Sequence, residues 1–193
     1  MSSIFAGIDA AKPVGDSSYF KPGSYLVRVD RVKQFQNRKG IACVAVEATN
    51  LAVLEEYPGH QPHMIGESVT ALYSRASDYF LSETKAFAMS ALGVADGDEV
   101  TAEVLDAICD PKDQVLAGTL MRVDVTQRMK RDATQEEIKA GRAHYNIVRW
   151  KSRVWAADAA EAIGADAIGK LYPGDAWQQL LAKEAAERDA FSG

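Results

Sequence analysis

Cations and aromatic rings alternate along Arg142 to Trp155, R-A-H-Y-N-I-V-R-W-K-S-R-V-W. On strict two-residue alternation Val148, Trp150 and Val154 face one way, and Tyr145, Ile147, Arg149, Lys151, Arg153 and Trp155 face the other. A face of cations and flat rings can pair with phosphates and stack on bases, the chemistry that captures a single-stranded nucleic acid. The plainer alternative is an edge strand whose cations guard it against aggregation. The mixture recurs earlier, where Arg28, Arg31, Lys33 and Phe35 share the outer side of a strand that leads into a loop with Arg38 and Lys39. Phosphate contacts are therefore assigned to Arg28, Arg31, Lys33, Arg38, Lys39, Arg122, Arg128, Lys130, Arg131, Arg142, Arg149, Lys151 and Arg153. Phe35, Tyr145 and Trp155 are the stacking candidates, with Tyr73 as a secondary one. For any single cation the competing reading is a solvated surface side chain. Trp150 belongs to the core by its apolar neighbours in the alternation, and Trp155 has packing beneath C-terminal helices as its alternative.

Other chemistries find less support. His60 and His63 offer two nitrogens to a metal, but no cysteine or second pair completes a coordination shell, so neither metal nor cofactor is expected. The chain has no G-x-S-x-G, Walker or G-x-G-x-x-G pattern, and its carboxylates form no spaced set suited to nuclease chemistry, so an enzyme is not expected. Cys43 and Cys109 are the two cysteines, one in an expected strand and one near the end of an expected helix; both read as buried thiols.

The formal charge of -5 argues against a polyanionic partner until its distribution is counted. Lys21 to Lys39 carries +5, Arg122 to Arg153 carries +5, and the rest of the chain carries -15. Two basic segments on an acidic body make a local field, and local fields capture polyanions. If the fold brings the segments together, they form one stripe.

These residues need a frame. The 193 residues, 47% hydrophobic and 25% charged, suit one globular domain with an appendage. No apolar run is long enough to span a membrane, and the start M-S-S-I-F-A-G lacks a basic n-region, so a cytoplasmic location is expected. Residues 1–18 read as a flexible arm, 19–155 as the nucleic-acid-binding domain and 156–193 as an acidic, alanine-rich helical extension divided by Pro173-Gly174. The turn signal Lys21-Pro22-Gly23-Ser24 opens a first strand in which Tyr25, Val27 and Val29 share a face but Val32 is out of phase, predicting a β-bulge near Asp30-Arg31. A hairpin loop at 36–40 leads to a second strand, and a third spans 67–73. Helices are expected over 82–92, capped by Gly93, and over 101–108. A fourth strand near 120–128 and the strand ending at Trp155 form a long hairpin, with the capping box Thr134/Glu137 opening a short helix between them.

Three strands, a helix and a final hairpin is the order of a five-stranded OB-fold barrel with its helix between strands 3 and 4, here followed by a C-terminal helical extension. The fold class is thus mainly β with helices. Such barrels bind across their middle strands and the loops joining strands one to two and four to five, where the basic residues lie.

The chain also resembles phage-encoded single-stranded DNA-binding proteins with an OB fold. The resemblance rests on Tyr19-Phe20-Lys21-Pro22-Gly23-Ser24-Tyr25, Leu116-Ala117-Gly118-Thr119-Leu120 and Tyr145-Asn146-Ile147-Val148-Arg149-Trp150-Lys151, within residues 17–155. It implies non-sequence-specific coating and protection of single-stranded DNA during phage replication or recombination, in the cytoplasm of a bacterial host. It also implies phage or host replication and recombination proteins as partners through the C-terminal extension. Many single-strand binders end in an acidic tail finishing in an aromatic residue, whereas here Phe191 is followed by Ser192-Gly193. A homo-oligomer is compatible with this reading, and no membrane partner is expected. The alternative function is an OB-type adaptor that binds a protein through its acidic C-terminal helices, without nucleic acid.

Overall fold

The computed structural model describes residues 18–95, 97–140 and 143–191. Its frame is one sheet of strands β1 (Ser18–Tyr19), β2 (Gly23–Gln36), β3 (Ala42–Glu56), β4 (Ser68–Ser74), β5 (Leu120–Met129) and β6 (His144–Val154), in the order β1-β4-β3-β2-β5-β6. β1 runs parallel to β4, and the other pairings are antiparallel. Helices α1 (Phe80–Leu92) and α2 (Ala102–Ile108) lie between β4 and β5, and α3 (Gln135–Lys139) rides on the β5–β6 connection. Three more, α4 (Ala156–Ile163), α5 (Ala165–Leu171) and α6 (Ala176–Phe191), follow β6. The extension expected as two helical pieces is three, because Gly164 at φ 76° breaks the first piece before Pro173-Gly174 breaks the second. Among the described residues no helix is long and apolar enough to cross a membrane. The expected arm, apart from Ser18, lies outside the described residues.

Local chemistry sets these elements. Gly23 opens β2 where a Cβ would fall 2.7 Å from the Tyr25 hydroxyl, so the tyrosine can fold back only over a residue without a side chain. The Tyr25 hydroxyl donates to the Pro22 carbonyl. Val29 pairs with Ala48 and Arg31 with Glu47, leaving Asp30 as the extra residue of a bulge where the slip in alternation predicts one. A bulge also lies in β6: Val123 faces Trp150 but Arg122 faces Ser152, so Lys151 is inserted and the alternation behind it reverses. α1 ends on left-handed Gly93, α2 is capped by the Thr101 hydroxyl, and α3 has the Thr134/Glu137 capping box.

The sheet buries both of its faces. On one side Tyr25, Val27, Val29, Val46, Val69, Met121, Val123 and Trp150 pack with Phe87, Ala88 and Ala91 of α1. On the other, Leu26, Leu51 and Leu120 pack under Ala156, Ile163, Tyr172 and Trp177 of the C-terminal helices. Each large apolar side chain so buried contributes on the order of 1.5–3 kcal/mol of transfer free energy. This explains the unbroken apolar run Tyr25-Leu26-Val27, which a strand with one wet face would interrupt.

The order of elements along the chain, with α1 and α2 between the third and fourth long strands, is as expected, but the sheet does not close into a barrel. Among the described residues no backbone ladder joins β6 to β4 or β1. α1 lies along β6, where the Ser90 hydroxyl donates to the Trp150 carbonyl at 3.0 Å, and part of the edge of β4 is taken by β1. The two ends of the sheet meet through side chains instead. Asn146 Nδ2 donates to the Phe20 carbonyl at 2.7 Å, the Phe20 ring stands edge-on to Trp150 with centroids 5.9 Å apart, and Trp150 Nε1 donates to the Tyr73 hydroxyl.

Candidate nucleic-acid interface

Strand register arranges the outer face of β4, β3 and β2 in rows. Tyr19, Thr70, Glu47 and Arg31 lie in one row, Leu72, Ala45 and Lys33 in the next, and Ser74, Cys43 and Phe35 in the third. Ala45 and Cys43 are small and covered by their neighbours, so the middle of this face is low, while Phe35 (40% exposed) and Leu72 (42%) stand on either side of it. Arg31 and Lys33 both reach Glu47. Partial burial acts to raise the Glu47 carboxyl, but the hydrogen bonds and charges of Lys33 and Arg31 outweigh it and hold the group below the usual carboxylate range. One carboxylate between two cations leaves this cluster at net +1.

The β5–β6 hairpin carries a second patch. Tyr145 is directly opposite Arg128, and Arg149 is directly opposite Asp124. Asp124 accepts from the Ser24 hydroxyl at 2.7 Å and lies 3.4 Å from both Arg122 and Lys151. Its burial works upward, yet the Ser24 and Lys151 hydrogen bonds and the nearby cations hold its carboxyl low. Here too one acid serves two cations. Lys130 is matched singly by Glu137 at 2.9 Å, which lowers that carboxyl.

Arg38, Lys39, Arg128, Arg131 and Arg149 are exposed and make no ion pair among the described residues. Of the assigned phosphate contacts they are the most available. Arg31, Lys33, Arg122 and Lys151 hold partly exposed salt bridges worth about 0–1 kcal/mol, so a phosphate can displace the carboxylate at small cost.

Several sequence-predicted residues are placed elsewhere. Tyr73 points into the core, where burial raises its phenol and its oxygen receives the Trp150 indole, so its ring is not a surface platform. Arg28 pairs with Asp30 at 2.9 Å and lies over the Tyr172 ring at 5.2 Å, beneath the helical layer. Arg153 and Trp155 do not share a face with Arg149, because the bulge at Lys151 reverses the alternation. Arg153 instead binds Glu187 and faces Glu184 from α6, and Trp155 has the guanidiniums of Arg153 and Arg188 over its ring at 4.3 and 5.6 Å. Both residues line a cleft of about 710 Å³ between β6 and the end of α1. Arg142 lies outside the described residues. Trp150 is in the core as expected, and Cys43 and Cys109 are buried free thiols, burial raising that of Cys109.

The two basic segments also do not meet where the element order suggests. Because β2 and β5 are antiparallel, with Gly23 opposite Val125, the β5–β6 hairpin extends past the start of β2 while Arg38 and Lys39 lie past its end. The 14 residues of β2 put roughly 43 Å of strand path between them. The outer face between them is covered by the C-terminal helices over Leu26, Leu51 and Leu120.

Tyr19 adds an exposed ring to the first row that the alternation along the chain did not assign. Tyr19 is 65% exposed on β1, next to buried Phe20. The Tyr-Phe pair directly before the Lys21-Pro22 turn is a one-out, one-in step of an extended segment, which was the available signal.

Among the described residues no group of three or more His, Cys, Asp and Glu is placed to hold a metal ion. His63 is buried and structural, accepting the Lys21 backbone N–H at Nε2 and facing Glu67 from Nδ1, both at 2.9 Å. A scan against protein-family models finds no match, and a search of curated proteins finds no similar sequence.

Proposed function

We propose that this protein binds single-stranded DNA without sequence specificity, coating and protecting it during phage DNA replication or recombination, on an open sheet of OB type. The reading is carried by one observation: exposed aromatic rings stand on outward strand positions beside cations, Phe35 near Lys33 and Tyr145 opposite Arg128. Rings stack on any base and cations hold the backbone, so such a surface binds strands and reads no sequence. The strand order supports the OB assignment, since an OB barrel is five-stranded and partly open. The packing of α4 to α6 against the sheet supports a structural role for the extension, which leaves less of it available to an adaptor function.

The test is a competition for a labelled single-stranded oligonucleotide. Unlabelled single strands of unrelated sequence should displace the probe equally, and duplex of the same length should displace it poorly. Preference for duplex, or for one sequence, would contradict the proposal.

A further inference from the structure

The two basic patches cannot be joined across β2 and β5, where the C-terminal helices lie, but the sheet offers another way round. Its ends meet at the seam between β1 and β6, held by the hydrogen bond from Asn146 Nδ2 to the Phe20 carbonyl. Phe20 is buried, and its ring packs edge-on against Trp150 of β6, so the seam has two independent contacts. Tyr19 precedes Phe20 and Tyr145 precedes Asn146, each Cα about 3.8 Å from that of the hydrogen-bonding residue. Tyr19 is level with Thr70, between the inward Val69 and Ala71, and so faces outward. Tyr145 is outward as well, with Arg128 opposite it. Two exposed tyrosines therefore flank one seam, with Thr70, Glu47 and Arg31 continuing the row on one side and Arg128 standing on the other.

Resting on the nucleic-acid reading above, we infer that Tyr19 and Tyr145 form a base-stacking step that carries a single strand across the β1–β6 seam, joining the Arg31–Lys33–Phe35 face to the Arg128–Arg149 face. The strand β1 is then part of the binding surface, and the path runs around the sheet on the side away from α4 to α6. The aromatic pair supplies stacking contacts at the seam itself, between Arg31 along the row on one side and Arg128 on the other.

The test compares wild type, Tyr19→Ala, Tyr19→Phe and Tyr145→Ala for affinity to oligothymidylate at low salt. Removing the Tyr19 ring should weaken binding about 5- to 150-fold, and Tyr19→Phe, which keeps the ring, should stay within about twofold. Because Tyr19→Ala could loosen β1, a second measurement uses unaltered protein: photocrosslinking to an iodouracil-containing strand should give adducts on Tyr19 and Tyr145. If wild type binds but Tyr19→Ala binds equally well, or adducts miss Tyr19, the seam path is wrong and single-strand binding stands. If wild type does not bind, the seam and the function fall together.

Discussion

Tyr73 and Trp150 share a hydrogen bond that links two strands lacking a ladder between them. Replacing Tyr73 by Phe keeps the ring in place and leaves the buried indole N–H without its acceptor, at a cost of about 1–3 kcal/mol. Urea denaturation should show that loss while single-strand affinity stays at the wild-type level; a weakened affinity without a stability change would return Tyr73 to the binding surface. His63 makes a similar argument through pH. Burial lowers its imidazole below the ordinary range, against the opposing pull of Glu67, with Lys21 adding to the depression. An unfolded histidine takes up its proton near pH 6.5, the folded one only at lower pH. Between those two values the unfolded chain binds more protons, so the stability due to neutral His63 is present above about pH 6.5 and is lost as the pH falls. The stability difference between wild type and His63→Gln should therefore shrink on acidification, by at most about 1.4 kcal/mol per pH unit. A constant difference from neutral to acidic pH would contradict this account.

The helices that follow β6 are pinned to the sheet at several points. Glu184 of α6 is buried and accepts the Ala156 N–H at the start of α4, whose N-terminus has no side-chain cap of its own. Burial raises the Glu184 carboxyl, while the Ala156 bond and Arg153 pull it down. Trp177 packs on Tyr172 with centroids 4.9 Å apart, above Leu26 and Leu120. Trp177→Ala should cost about 3–5 kcal/mol in denaturant unfolding. A cost below 1 kcal/mol would mean the helices are loosely attached and available for another partner. The same packing explains which features were legible in the chain. The Asp30 bulge was readable because Val32 falls out of phase on a strand whose far half has one wet face. The Lys151 bulge was hidden: both faces of the sheet are apolar at that end, so Val154 fits the alternation although it packs under the helices, opposite to Trp150. Arg153 and Trp155 were assigned to the wrong face for that reason. Closure of the barrel was equally unreadable, since local alternation does not encode whether α1 or another strand takes the edge of β6.

Across the whole molecule, charge is divided as the chain's own order divides it: -15 on the body and +5 on each of two segments. The fold keeps those segments apart along β2 and leaves five of the assigned phosphate contacts, Arg38, Lys39, Arg128, Arg131 and Arg149, exposed and without ion pairs among the described residues. A surface of this kind binds through counterion release, with each phosphate contact contributing about 0.7 to the salt slope on a single strand. The most direct measurement is the affinity for a single-stranded oligonucleotide as a function of salt. Binding should be clear at low salt and fall linearly in log–log form with a slope of at least about 3.5 in magnitude, about 0.7 for each of these five cations. No binding at low salt, or an affinity indifferent to salt, would contradict the claim that this open sheet is a surface for single-stranded DNA.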